Sequence, residues 1–270
     1  GDGTVTRSAD MVEERRLLKR MGDWLLSPLE LSPRTTKLLI VPDGPILSLP
    51  WSAIDWRGQP LCASRQIILA PTVRHHVLAC QQRTRSRKAK VFVGQSSGLP
   101  HIEQEIESLT DRLAGLDLSL YNPCHREDWP HESVSHLWHY AGHAHLRADN
   151  PFYSSLQMAD GAMFAVDFRL RKNRVNLVTL AACRTGQHSS LRGKEATGLV
   201  RSLIEMGARN VVAANWAVAD RSTAMWMEAF YKQYVDGRPA AAAGQTAALT
   251  LREKLPSACH WGSFSVHGAG

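Results

Sequence analysis

Two stretches of this chain carry side chains able to break covalent bonds. HLWHYAGHAHL (136–146) places four histidines in eleven residues, and NLVTLAACRTG (176–186) closes an apolar run on Cys183. A thiol beside an imidazole is the minimal apparatus for attack on a carbonyl. The thiolate is the nucleophile, and the histidine takes the thiol proton and later gives it to a leaving amine. The pattern predicts that the strand HLWHYA runs out at Gly142, with His143 in the first loop position. NLVTLAA likewise runs out at Cys183. Functional groups gather at such carboxyl ends of strands in open α/β sheets. The separation of 40 residues (183 − 143) can hold a crossover between neighbouring parallel strands. An inert Cys183, packed as a small apolar residue, fits the same spacing.

The remaining histidines sort by strand geometry. His136 and His139 are an odd number of positions apart, so a regular strand turns them to opposite faces and they cannot share a metal. Gathering His139, His143 and His145 would take an unusual loop, and no cysteine or carboxylate stands nearby at ligand spacing, so no metal is expected. His139 is expected to be a hydrogen-bonded core residue and His145 a loop residue. A rival nucleophile is Ser96 in GQSSG (94–98), which follows the strand AKVFV as a G-x-S-x-G elbow would. The elbow needs a helix starting at the serine, whereas Pro100 and the helix of 101–114 come later. A Ser96 triad would have to draw on downstream groups such as Asp160 and His188.

The elements that position these residues alternate. Residues 10–26 are amphipathic at helical spacing. TTKLLIVPDG, RQIILA, AKVFVG and LSLY read as strands. PHIEQEIESLTDRLAG reads as a helix, with Ile102, Ile106, Leu109 and Leu113 on one face. NLVTLAA and NVVAANW are apolar on both faces, as strands inside a parallel sheet are. KEATGLVRSLIEMG and the segments 222–235 and 239–254 are helices, and WGSFSVHG is a closing strand. Such alternation predicts one α/β domain with a largely parallel sheet.

The 270 residues are 44% hydrophobic and 21% charged, an ordinary globular composition. No apolar run is long enough to span a membrane, and the N-terminus lacks the apolar core of a signal peptide. The charge of +7 is scattered apart from RTRSRKAK (83–90), so direct nucleic-acid binding is not expected. Five cysteines without a CxxC pair point to a reducing compartment, and a cytoplasmic location is expected.

Eight separated blocks then resemble, in order, the CHAT peptidases, caspase-like and separase-related cysteine proteases. They are LLIVPDGPILSLPWSAI (38–54), LPHIEQEIESL (99–109), HLWHYAGHAHL (136–146), PFYSSLQMADG (151–161), NLVTLAACRTG (176–186), EATGLVRSLIEMGARNVVAANWAVAD (195–220), MEAFYKQYVDG (227–237) and WGSFSVHG (261–268). The resemblance implies a caspase-like α/β/α sandwich over residues 36–270. Residues 1–35 are expected to be an N-terminal helical segment packed on that domain. It implies peptide-bond hydrolysis by a Cys–His dyad, with the family histidine at His143 and the nucleophile at Cys183.

One position departs from the pattern. The family usually has glycine after the histidine, where the backbone N–H helps the cysteine N–H hold the oxyanion. Ala144 keeps that N–H, and the hole survives if its φ is negative. Basic-specific relatives often carry an acid two positions before the nucleophile, where this chain has Ala181. The loop after NVVAANW forms part of the specificity pocket in caspase-like enzymes, which makes Trp216 and Asp220 pocket candidates. Asp220 also suits the N-cap of the following helix, the preferred reading. An apolar or small residue at the cut site is therefore expected. Dyad chemistry demands no cofactor. The expected partners are a protein substrate and a sensor region or separate activating chain, plausibly in bacterial defence. The alternatives are an inactive CHAT-like interaction module and a serine hydrolase using Ser96.

Overall fold

The computed structural model describes residues 8–96, 99–147, 149–184, 195–216 and 218–270. In chain order its elements are α1 (Ser8–Leu25), β1 (Lys37–Ile40), β2 (Asp55–Trp56), β3 (Gln59–Pro60), β4 (Gln66–Leu69), α2 (Val73–Gln81) and β5 (Lys88–Val93). They continue with α3 (Ile102–Arg112), β6 (Asp117–Tyr121), β7 (Glu132–His145), β8 (Ser155–Met158), β9 (Gly161–Phe164), α4 (Ala165–Arg169) and β10 (Lys172–Arg184). The C-terminal third holds α5 (Glu195–Met206), β11 (Asn210–Ala214), α6 (Asp220–Val235), α7 (Ala240–Lys254), α8 (Ala258–Trp261) and β12 (Phe264–Gly268).

The main sheet has the order β1-β4-β12-β11-β10-β7-β5-β6. Along it only the β11–β12 pair is antiparallel. The β8–β9 hairpin leans on the carboxyl end of β7 through Ala144↔Leu156 and His145↔Ser155. The expected largely parallel α/β/α architecture is what the chain adopts.

Strand alternation sorts the core into two layers. Val91, Leu137, Leu177 and Val212 face α3, α6 and α7. Phe92, Trp138, Tyr140, Val178 and Leu180 face α5 and the short α4, where Leu199, Leu203 and Phe168 meet them. The second layer centres on Trp129, which is fully buried. Its ring stacks 4.2 Å from Phe92, meets Trp138 edge-on at 5.5 Å and Phe168 edge-on at 5.0 Å.

The N-terminal helix belongs to this body. Met21 and Leu25 of α1 pack on the cluster of Trp51, Ile54, Leu61 and Leu69. Glu14 accepts from Ser257 Oγ at 2.6 Å and from Ala258 N–H at 2.8 Å, which ties α1 to the start of α8. Gly22 sits against the β2–β3 hairpin so closely that a Cβ there would lie 1.9 Å from Asp55 O.

Because Trp129 packs against Phe92, Trp138, Tyr140 and Phe168 in a buried layer, Trp129→Ala should cost about 3–5 kcal/mol of unfolding free energy. Denaturant titration of the two proteins checks this, and a loss below about 1 kcal/mol would mean that the layer collapses to fill the gap.

Candidate active site

The site is built on the two central strands. β7 and β10 run parallel in unbroken register at their carboxyl ends: Leu180↔Tyr140, Ala181↔Ala141, Ala182↔Gly142, Cys183↔His143 and Arg184↔Ala144. Registered positions of adjacent strands lie one inter-strand spacing, about 4.8 Å, apart. Both strands run further than the sequence pattern suggests. His143 is inside β7 rather than in a loop, and β10 continues through Arg184. The reason is pairing: His143 N–H donates to Gln95 O at 2.9 Å beyond the end of β5, and the β8–β9 hairpin extends the ladder to His145. The hairpin carries a signal in the sequence, the Asp160-Gly161 turn, with Gly161 at φ 131°.

The backbone of His143 is fixed from its other side as well. The buried Tyr140 hydroxyl lies 2.8 Å from His143 O and 2.9 Å from Gln157 O, and accepts Gln157 N–H at 3.1 Å. Two glycines make room for that phenol. A Cβ on Gly94 would lie 2.4 Å from the Tyr140 hydroxyl, and one on Gly142 would lie 2.9 Å from it at a φ of +149°. His143 itself is 6% exposed. The Cys183 side chain and residues 185–194, including His188, lie outside the described residues.

Ala144 is 4% exposed and registered opposite Arg184. Among the described residues Arg57 alone has a positive φ without being glycine, so Ala144 stands in backbone that alanine adopts freely. On the other side of the site, Gly198 in α5 packs against Pro151, where a Cβ would lie 1.9 Å from the Pro151 carbonyl oxygen. That contact joins the segment after β7 to α5, the next described element after β10 in the chain.

The other sequence-stated residues are dispersed. Ala181 is buried in the layer under α3 and α6. Trp216 is half-buried, and its Nε1–H donates to Cys259 O at 3.0 Å. Asp220 does not cap its own helix. It is the first residue of α6, and its carboxylate accepts His101 N–H at 2.6 Å, at the start of α3. The helix begins one residue earlier than a cap at Asp220 requires, which turns the side chain to the neighbouring helix. Ser96 stands six residues before α3, whose start is Ile102, so no helix springs from it. Asp160 is engaged by Arg126 in the hairpin turn. His136 and His139 do not face opposite layers: His136 stacks on Tyr234 and His139 bonds Tyr231, both of α6. The ladder to β10 skips the His136 position, where Asn176 bonds the ring instead, and this irregularity brings both rings to one side. His145 ends β7 and is exposed. Among the described residues no three histidine, cysteine or acidic side chains form a metal-binding group.

The largely parallel sheet between two helical layers is a caspase-like fold, as in the cysteine proteases it resembles. The model of the CHAT domain family matches residues 15–269, and the chain belongs to that family. No curated protein matches the chain. The solved structures it resembles include separase of Saccharomyces cerevisiae in complex with securin, with a TM-score of 0.52, 13% identity and coverage of 82% of this chain and 14% of separase. The Arg-specific cysteine proteinase gingipain R gives a TM-score of 0.52 at 11% identity, covering 95% of this chain and 67% of gingipain. A complex of the pro- and mature domains of the Porphyromonas gingivalis enzyme gives 0.55 at 9% identity, covering 94% and 68%. The chain thus spans about a seventh of separase, and at these identities the likeness concerns the fold.

Tyr140→Phe tests the seat of His143. Removing the hydroxyl takes away the one proton shared by His143 O and Gln157 O and the acceptor of Gln157 N–H, and should cost about 1–3 kcal/mol. It should also shift the His143 ring resonances in a histidine-detected NMR spectrum. A variant with unchanged stability and unchanged resonances would show that the phenol does not hold this backbone.

Proposed function

We propose that the domain is a cysteine endopeptidase in which Cys183 is the nucleophile and His143 the general base and acid. The observation that carries this reading is the Cys183↔His143 register at the carboxyl ends of adjacent parallel strands. The thiolate, having given its proton to His143, adds to the carbonyl carbon of the scissile bond. The intermediate expels the amine, which takes the proton from His143 and leaves a thioester. His143 then draws a proton from water, the hydroxide adds to the thioester, and collapse releases the acid and the thiolate. Both half-reactions need donors for an oxyanion. The reading assigns these donors to the N–H groups of Ala144 and Cys183, which stand at the carboxyl ends of β7 and β10.

For the cut site the reading favours an apolar or small residue. Ala181 offers no charge, and the Asp220 carboxylate is already committed to His101 N–H. Trp216, held by its indole nitrogen, would present its ring to the pocket. A sensor region or separate chain that controls the protease, as separase is found with securin, completes the reading. A role in bacterial defence comes from the family resemblance alone. A second reading, an inactive interaction module, is favoured by the burial of His143 within a continuous ladder.

Site-resolved iodoacetamide labelling from about pH 5 to about pH 9 separates them. Desolvation pushes the Cys62 and Cys124 thiols up to about 12, so both stay protonated across that range and serve as unreactive references. Cys80 and Cys259 are exposed and serve as accessible comparison thiols. An assembled dyad predicts that Cys183 alkylates well below pH 8, ahead of the other four, and that His143→Ala removes this lead. Labelling of Cys183 no faster than Cys80, with His143→Ala without effect, would favour the inactive module. A fluorophosphonate probe captured at Ser96 would instead establish the serine hydrolase.

A further inference from the structure

Beneath α3 and α6 lies a polar cluster that peptide hydrolysis does not use. His139, fully buried in β7, places Nδ1 2.8 Å from Thr179 Oγ1 and 2.9 Å from the Tyr231 hydroxyl. Its Nε2 lies 3.4 Å from Glu105 Oε1, off the line of a hydrogen bond. Glu105 belongs to α3 and is 6% exposed, and Oε1 has no hydrogen-bond partner among the described residues. In front of these two side chains opens a cavity of about 320 Å³ between α3 and α6, the scale of a small-ligand site.

Glu105 thus has one long, poorly aligned contact, to the imidazole, and a buried oxygen with no hydrogen-bond partner among the described residues at the floor of the cavity. A buried carboxylate oxygen is stabilised by a charged or hydrogen-bonding donor. The nearby arginines do not supply it: Arg112 is paired with Glu228 at 2.9 Å, and Arg221 is exposed at the rim. Leu109 and Met225 give the cavity apolar walls.

We infer that the α3–α6 cavity is a binding site for a cationic nitrogen on an aliphatic stem, an alkylammonium or alkylguanidinium group whose charge pairs with Glu105 and whose stem lies along Leu109 and Met225. Such a group comes either as a free amine or as a lysine or arginine side chain of a partner protein. The site lies under the strand that carries His143, four residues before it, and does not depend on the catalytic reading.

Calorimetric titration tests it, with agmatine as the free probe and a capped peptide holding one internal arginine as the side-chain probe. One saturable site is expected, weakened at least tenfold in Glu105→Gln, while the same peptide with norleucine for arginine does not bind. Met225→Trp, which fills the cavity from α6, should abolish binding and provides a second variant should Glu105→Gln fold poorly. Binding of agmatine alone identifies a free amine as the ligand class, and tighter binding of the arginine peptide identifies a protein side chain. No saturable heat with either probe, or equal binding by Glu105→Gln, would overturn the proposal. The readout is heat rather than turnover, so loss of the dyad by Cys183→Ser should leave it unchanged.

Discussion

Everything at the centre of this domain depends on the register between β7 and β10. A slip of one residue would exchange the faces of a whole strand. Here it would turn Trp138 and Tyr140 out of the aromatic layer around Trp129 and push His139 into it. The correct register puts the large aromatics together under α4 and α5 and pairs His139 with Thr179 under α6. At the carboxyl ends, Ala141 and Gly142 face Ala181 and Ala182. Large side chains at these four positions would occupy the space beside His143. Small residues leave the strand ends close together, and Gly142 also admits the Tyr140 hydroxyl that holds the histidine backbone.

Most of this frame was legible from the residues. The apolar runs of β5, β7, β10 and β11 and the periodic helices α3, α5 and α6 carry strong signals, because burial on both faces or on one stripe demands them. His143 and Cys183 could be singled out because each follows such a run. What was not legible depends on partners distant in sequence. The ends of β7 and β10 are set by Gln95 and by the β8–β9 hairpin, which no local pattern reveals except Asp160-Gly161. Asp220 looked like a cap for α6, and only the approach of α3 shows that its carboxylate serves His101. The parity rule failed for His136 because Asn176 interrupts the ladder beside it.

The four histidines of β7 show how strongly tertiary context divides one residue type. His136 stacks on Tyr234, and burial moves its pKa below the ordinary histidine value. His139 is enclosed by two hydroxyls and a carboxylate. His143 is seated by backbone contacts on both of its polar groups, and His145 ends the strand in solvent. Shared composition therefore says little about shared chemistry.

The layer of α3 and α6 has a further property that follows from its polar contacts. Apolar helices on a sheet can shift against it with little loss, since dispersion and burial are tolerant of small displacements. Directional contacts are not tolerant. Asp220 binds the residue that opens α3, and Tyr231 binds His139 and Thr179. These contacts fix both helices relative to β7 at two heights, one near the carboxyl edge and one mid-strand. Replacing such a buried network by apolar groups is often neutral or favourable for stability. Its presence here is thus better explained by placement of α3, α6 and β7 relative to one another than by a need for folding energy.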